Sequence, residues 1–496
     1  MAETTTETKK KGGFWDTGFT RSVIKSEHVT TAEKLIGYLV GPFGGLLCYG
    51  IFTSWLSTYF TDVLGLETSF LSQLQLWSTI LIVAANLVVG QLLERTHTLA
   101  GKARPWILLS ALTMSVSCLF MFIVPFEDET AKMVWIAIAY NLFYAVAFPI
   151  YNTANSTLCS ASTRDSGERG ACATMTNIAS LGTQGAGSMI FPLLVSNVIH
   201  YEQSMWLAVM VGVGIFACLT IYLQFRFTRE RVTEEDMALG IDVEAEEAAK
   251  RPTASFGQQF KACATDKYWW IIIIFYLVFQ FAGAIKNGSM SYYAHWVLGS
   301  DADGLDYGTK QTILSICGAV PMAVAMLFVS QLCRKFTKRW VVFYGMVIGV
   351  IGGVIALAAG DNFVLIAVGI AVKCFGSSPS CYQILAMLAD EIDHIEFKTG
   401  VRCDSFTMSI YSSLMVAASP VMNAVFMAML DSVGYDATLE AQSEACISTI
   451  TTAYITIETV AYAICAVLIF LWMVEKHLPE EQAAIAERKA AAKQAA

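Results

Sequence analysis

Lys286 and Lys373 each lie inside a long apolar run, Lys286 in A-G-A-I-K-N-G-S-M-S-Y-Y-A-H-W and Lys373 in A-V-K-C-F-G-S-S-P-S-C-Y-Q. An ammonium group is costly at membrane depth, so one held there points to function. Neither run carries an acidic residue near its middle, and two such cations can together bind an anion. The competing reading is that each lysine stretches along its own run to the polar edge. Asn287, Ser289, Tyr293, His295, Ser377, Ser378 and Gln383 stand nearby in sequence as groups able to orient a polar ligand. For His295, close to the end of its run, a satisfied structural histidine is the simpler reading. Glu458, the one acid at similar depth elsewhere, has no assigned role.

A second cluster is the charged knot M-L-A-D-E-I-D-H-I-E-F-K-T-G-V-R-C-D-S at 387–405. Its acids Asp390, Glu391, Asp393, Glu396 and Asp404, with Lys398 and Arg402, cannot sit in lipid. They must cap two membrane helices on one side.

The elements that position these groups follow from composition. Of 496 residues, 55% are hydrophobic and 15% charged, a balance too apolar for a soluble multidomain protein. Twelve apolar runs of spanning length fall at about 34–60, 69–94, 104–125, 132–158, 171–198, 203–226, 267–298, 310–332, 339–359, 363–388, 404–431 and 449–475. With the N-terminus inside, all but four of the 32 Lys and Arg are cytosolic, the exceptions being Lys132 and Lys310 outside and Lys286 and Lys373 within runs. The expected fold class is therefore an all-α polytopic membrane protein with twelve transmembrane helices and cytosolic N- and C-termini.

The net charge of −9 leaves no basic face for nucleic acid. Thirteen Cys without paired spacing read as small core hydrophobes, with no metal site or cofactor implied. No nucleophile, base or metal cluster suggests an enzyme.

The expected organisation is a cytosolic tail (1–33), a first six-helix bundle (34–226), a charged cytosolic linker (227–266), a second six-helix bundle (267–475) and a cytosolic tail (476–496), the part after Pro479 a solvated helix. The polar opening has no apolar core and cleavage site, so no signal peptide is expected. Charged loops recur at matching places in the halves. A-G-K-A-R-P-W precedes the third run and R-K-F-T-K-R-W the ninth; T-R-D-S-G-E-R-G follows the fourth and E-F-K-T-G-V-R the tenth. That pattern suggests a duplicated unit.

Four motifs in order, Y-F-T-D-V-L-G-L at 59–66, G-K-A-R-P-W-I-L at 101–108, D-S-G-E-R at 165–169 and the knot at 387–405, give the chain its resemblance. It resembles the major facilitator superfamily, and within it the glycoside-pentoside-hexuronide cation symporters, the melibiose permease family. The resemblance implies two six-helix bundles that alternate in access. It also shows departures. Positions that carry acids in many family members fall at Leu46, Ile82, Asn86 and Asn152, a family aromatic falls at Ser156, the family Arg at Asn177 and the family Lys at Val416. Sodium coupling of the familiar kind is thereby put in doubt, and so is a neutral galactoside substrate.

In that fold the first, fourth, seventh and tenth helices line the cavity, which makes Tyr49, Thr53, Asn152, Asn155, Lys286, Asn287 and Lys373 candidate substrate-binding residues, with Asn177 at the family Arg position. Tyr140, Asn141 and Tyr151 on the fourth helix and Gln73 and Trp77 on the second add polar or aromatic surface. Asn152 and Asn155 could instead bond helix to helix, and Tyr49 and Trp77 could be packing. The family's cytosolic salt bridges map onto Arg104, Asp165, Glu168, Arg169, Asp390, Asp393, Glu396, Lys398 and Arg402 as a gate.

The expected function is secondary active transport of a sugar, glycoside or acidic, hexuronide-like sugar across the plasma membrane. The expected partners are a small-molecule solute and membrane lipid, with no nucleic acid and the chain a monomer. Coupling is expected to a proton rather than sodium, or to be absent. Alternatives are an uncoupled facilitator or exchanger of organic anions, and a non-transporting membrane sensor.

Overall fold

A computed structural model describes residues 20 and 22–487 apart from 95, 97, 99, 164, 201, 233, 235–255, 300–304, 402, 485 and 486. Every long element is a helix, as expected of backbone that must satisfy its own hydrogen bonds in lipid. In chain order these are α1 (Glu33–Val63), α2 (Thr68–Glu94), α3 (Arg104–Phe122), α4 (Glu129–Cys159), α5 (Ser166–Gly185, continuing to Ile199) and α6 (Gln203–Arg226). After the short α7 (Phe256–Ala264) come α8 (Lys267–Leu298), α9 (Tyr307–Phe336), α10 (Lys338–Ala358), α11 (Phe363–Thr399), α12 (Asp404–Ser432) and α13 (Glu444–Lys476). Among the described residues eleven helices are long and apolar enough to cross a membrane; α9, with 30 residues, is long but more polar.

Local chemistry sets the helix ends. Asp128, Asp266, Asp306, Asn362 and Ser443 each accept a backbone amide at the start of a helix, the standard way to satisfy an orphan donor. Gly400 ends α11 with φ +71°, a conformation that costs glycine little. At Tyr59–Val63 and Tyr293–Leu298 the coil widens by one residue, with Leu64 N–H donating to Tyr59 O at 3.1 Å and Gly299 N–H to Ala294 O at 3.1 Å.

The chain forms two compact units. The first comprises 1–49, 84–184 and 207–250. Within it α1, α4 and α6 meet where Gly45 leaves room for the Tyr151 ring and Gly44 for Thr220. The stretch after α6 completes this unit. The Glu230 carboxylate accepts the amides of Lys102, Ala103 and Arg104 at 2.7, 2.8 and 2.7 Å, capping α3. Arg231 pairs with the fully buried Glu33 at 2.8 Å.

The second unit comprises 50–83, 185–206 and 251–496. Its core packs Trp269, Phe275, Tyr276, Met346, Met387 and Trp472 around α8, α10, α11 and α13. α10 and α11 approach closely through glycine. A Cβ on Gly352 would lie 2.3 Å from the backbone nitrogen of Lys373, and one on Gly376 would lie 2.4 Å from that of Gly349. This contact presses the Lys373 turn against α10.

The tail helix has one anchored face. Residues 478–484 are helical, but Glu481 is buried and bonded to His394, and Gln482 donates to Asp393 at 2.9 Å. The described part of the tail is docked on α11.

Candidate functional site

The two buried lysines have an acidic partner after all. Glu458 on α13 places Oε2 2.5 Å from Lys373 Nζ of α11 and Oε1 3.9 Å from Lys286 Nζ of α8. The expectation that these cations lack an acid is therefore corrected: the partner comes from α13, which is not among the helices expected to line the cavity. Tyr462, one turn along α13, donates its hydroxyl to Glu458 Oε1 at 2.8 Å. The Lys373 ammonium faces the Tyr454 ring, 5.9 Å from its centroid, and the Lys286 ammonium reaches Cys374 Sγ at 3.8 Å.

The members of the triad differ in access. The Lys373 side chain is fully buried and that of Glu458 nearly so, while the Lys286 side chain is 17% exposed. Three ionised groups sum to one positive charge, and a lone uncompensated charge in such surroundings is expensive. Lys373 and Glu458 form the tight pair, and Lys286 carries the excess.

The other substrate candidates on this unit stand apart. Asn287 is exposed, one residue round the helix from Lys286. Thr53 bonds back to Gly50 O at 3.0 Å, and Ser289 to Ile285 O at 2.8 Å, so both hydroxyls serve their own helices.

On the first unit Tyr49 is half-buried and stacks on Phe148, with centroids 4.2 Å apart and planes at 11°. Asn155 is buried and accepts from Gln224 Nε2 at 2.7 Å, and Gln224 Oε1 accepts from Tyr151 at 3.0 Å. The helix-to-helix reading of Asn155 is thus the one its geometry follows. Asn152 is half-buried and Asn177 exposed.

Apart from the Asp165–Glu168 contact, the described side-chain bonds of the gate candidates go to residues outside the expected set. Arg104 is buried, donates to the Phe225 carbonyl at 3.3 and 3.1 Å and to the Ala100 carbonyl at 3.1 Å, and covers the Phe225 ring. Asp165 accepts the Glu168 amide at 2.8 Å, and Glu168 accepts the Val29 amide at 3.2 Å and lies 3.3 Å from His28.

On α11 Asp390 pairs with Lys338 at 2.5 Å, Asp393 accepts from Gln482, and Lys398 pairs with Asp266 at 2.7 Å. His394 lies between Asp266 at 3.6 Å and Glu481 at 2.9 Å. Burial acts to raise the Asp266 carboxyl, but hydrogen bonds from His394, Lys398 and the Tyr268 amide outweigh it and hold the group far below the usual carboxylate range. Glu396 is half-buried on the same helix. The Arg169 side chain and Arg402 lie outside the described residues.

A network not foreseen from sequence ties 50–83 and 185–206 to the rest of the second unit. Tyr435 donates to Asp62 Oδ1 at 2.7 Å and accepts from Trp296 Nε1 at 3.0 Å. Thr58 meets Ser291 at 2.7 Å, Thr61 meets Tyr292 at 2.9 Å, and Thr68 donates to Asp431 at 3.0 Å. Ser315 and Thr312 of α9 donate to the carbonyls of Ser188 and Met189, each at 2.7 Å. Asp62, in the T-D-V-L-G motif, was the available signal.

The comparisons agree with this architecture. A family model described as MFS/sugar transport protein matches residues 37–476. An isoprimeverose transporter of Lactiplantibacillus pentosus is 23% identical over 95% of this chain and 94% of its own length. A putative glycoside/cation symporter, YagG, of Escherichia coli (strain K12) is 23% identical over 87% of this chain and 90% of its own. Among solved structures, a bacterial homolog of the human lysosomal transporter Spinster, inward-facing and unoccupied, superposes with a TM-score of 0.61 at 12% identity, covering 92% of this chain and 99% of that one; this likeness shows the fold alone. With its many apolar helices and a match across nearly its whole length, the chain is a multi-pass membrane protein belonging to the MFS/sugar transport protein family.

Proposed function

We propose that the protein is an alternating-access transporter of the plasma membrane that moves a sugar or glycoside bearing an acidic group, with Lys286 as its anion contact. The observation that carries the acidic group is the Lys286–Glu458–Lys373 triad, in which two ammonium groups share one carboxylate and the more accessible ammonium is the less tightly paired. A ligand carboxylate at Lys286 would neutralise the excess charge, a charge-assisted contact worth more than a neutral hydrogen bond. The sugar part rests on the family match and on the isoprimeverose and glycoside names of the relatives.

In this reading α9 is the twelfth span, both termini are cytosolic, and the spans form bundles at 34–226 and 267–475 joined by the linker 227–266. On the first unit Tyr49, Asn152 and Asn177 offer polar or stacking surface and Asn155 holds the fourth span; on the second Asn287 offers an amide and Lys373 positions Glu458. The bonds of Asp62, Thr58 and Thr61 hold the end of α1 against α8 and Tyr435. The described gate charges, from Arg104 to Lys398, exchange their present partners as the inner end opens and closes.

A second reading concerns coupling. Ile82 is buried and apolar at a family cation-binding position, which favours a proton or no ion over sodium. The test is calorimetric or thermal-shift titration of the purified protein with neutral glycosides, hexuronides and simple organic acids, wild type beside Lys286→Ala. Acidic glycosides that bind wild type alone support the proposal. Neutral glycosides binding both proteins equally would refute the anion contact.

A further inference from the structure

On the second unit, α9, α10 and α11 enclose a groove of about 310 Å³ walled by Phe328, Leu332, Phe336, Tyr344, Ile348 and Phe375. Its floor is backbone: Gly345 and Gly376 lie so close that a Cβ on Gly345 would stand 2.5 Å from the Gly376 carbonyl oxygen, with Pro379 beside them. Phe328, Leu332, Phe336 and Tyr344 are exposed although large and apolar. On the face of a membrane helix such a recess is filled by hydrocarbon.

Its length and its ends say which hydrocarbon. The α9 wall runs from Ala325 to Phe336, roughly 16 Å at about 1.5 Å per residue. Half of a hydrocarbon core about 30 Å thick is nearly the same depth, so the groove spans one leaflet.

Its Phe336 end is positively charged. The exposed Lys335 ammonium lies 5.1 Å from the Phe336 ring centroid, and the Arg339 guanidinium lies 5.1 Å from that of Trp340, which stacks on Tyr344 of the groove wall. Arg339 also donates to the Ile469 and Phe470 carbonyls, and Lys338 is engaged by Asp390. Among the described side chains Lys335 is thus the cation presented at the mouth, flanked by the aromatic rings typical of a headgroup boundary. A neutral apolar occupant would have no use for it.

We propose that this groove is a binding site for an anionic phospholipid, one acyl chain lying between α9, α10 and α11 and the phosphate on Lys335. The chemistry matches the inner-leaflet lipids attracted to basic residues at helix ends. The chain's floor is the α11 backbone one turn beyond Lys373, so the occupant also braces the helix that carries the buried ion pair.

The test uses the full chain, purified in detergent and stripped of lipid. Thermal unfolding is followed with phosphatidylglycerol, with phosphatidylcholine of the same acyl chains, and with inorganic phosphate; native mass spectrometry counts retained lipid. Phosphatidylglycerol is expected to raise Tm well above phosphatidylcholine, phosphate to do nothing, and one phosphatidylglycerol to remain per chain. Lys335→Glu, an exposed change, should abolish the preference between lipids, and Ile348→Trp should reduce retention of both. Equal effects of the two lipids, a preference that survives Lys335→Glu, stabilisation by phosphate alone, or dimer formation in place of lipid retention would each overturn the proposal.

Discussion

Glu458 Oε2 lies 2.5 Å from Lys373 Nζ, so the acid of α13 and the base of α11 neutralise each other inside the second unit. Removing one member of a buried pair strands the other, at a cost of about 3–5 kcal/mol. Glu458→Gln should therefore lower Tm sharply, since it strands two lysines. The double variant Glu458→Leu with Lys373→Met should recover most of that loss. Thermal unfolding in detergent checks this, and equal instability of single and double variants would mean that the pair is not what holds α11 to α13.

Tyr435 links Asp62 to Trp296 through one hydroxyl. Tyr435→Phe keeps the ring and deletes both bonds, leaving the half-buried Trp296 indole without its acceptor and Asp62 Oδ1 with Thr61 alone, at about 1 kcal/mol. The expected outcome is easier opening of this end. A Ser291→Cys probe should react faster with a membrane-impermeant thiol reagent when Tyr435→Phe is added. An unchanged rate would show that the network does not restrain the Thr58–Ser291 contact.

Asp266 supplies a pH dependence. A carboxylate held below its ordinary value stabilises the fold fully above the unfolded pKa, near 4, and that contribution fades as pH falls toward the lowered folded value. Asp266→Asn should thus be less stable than wild type at pH 7, and the gap should narrow below about pH 4. A gap constant across that window would mean that the Asp266 proton is not involved.

The docked tail makes a separate forecast. His394 is within 2.9 Å of Glu481 and Gln482 donates to Asp393. Glu481→Ala should expose the segment around Lys476, and trypsin should cut there several times faster than in wild type. Unaltered digestion would place the tail's anchorage elsewhere.

Glycine packing beside Lys373 gives the last. Gly352→Ala forces a Cβ against backbone at 2.3 Å and should cost about 1–3 kcal/mol by overpacking. Gly283→Ala on α8, with nothing within 4 Å, should leave Tm the same or slightly raised. Equal effects would contradict the close approach of α10 and α11.

The helices were legible because lipid demands long apolar runs, and the predicted 363–388 and 449–475 run short of α11 and α13 only where charged turns continue the coil past the apolar stretch. The site was legible in its residues and not in its pairings. Lys286, Lys373 and Glu458 each stood out as intramembrane charges, yet their meeting depends on how α8, α11 and α13 turn toward one another. The spacing of Glu458 and Tyr462, one helical turn, was a signal that α13 has a polar stripe. Asn155 was read for its place on a cavity-lining helix, while its partner Gln224 lies on a helix whose inward face composition does not reveal. Lys338 and Asp266 sit at helix starts beside the linker and the ninth run, where sequence offered no reason to join them to α11.

The cap on α3 also constrains how the protein is made. Arg104 receives its capping carboxylate from Glu230, 126 positions later in the chain. At about 5–20 residues per second, roughly 6–25 s of synthesis separate the two. Until then the start of α3 keeps three amides without their acceptor, and Glu33 waits still longer for Arg231, 198 positions away. The first unit is therefore completed only after α6 has been translated and the opening of the charged segment has emerged from the ribosome, so a chain stopped at residue 226 would hold all six helices and lack the residues that lock them.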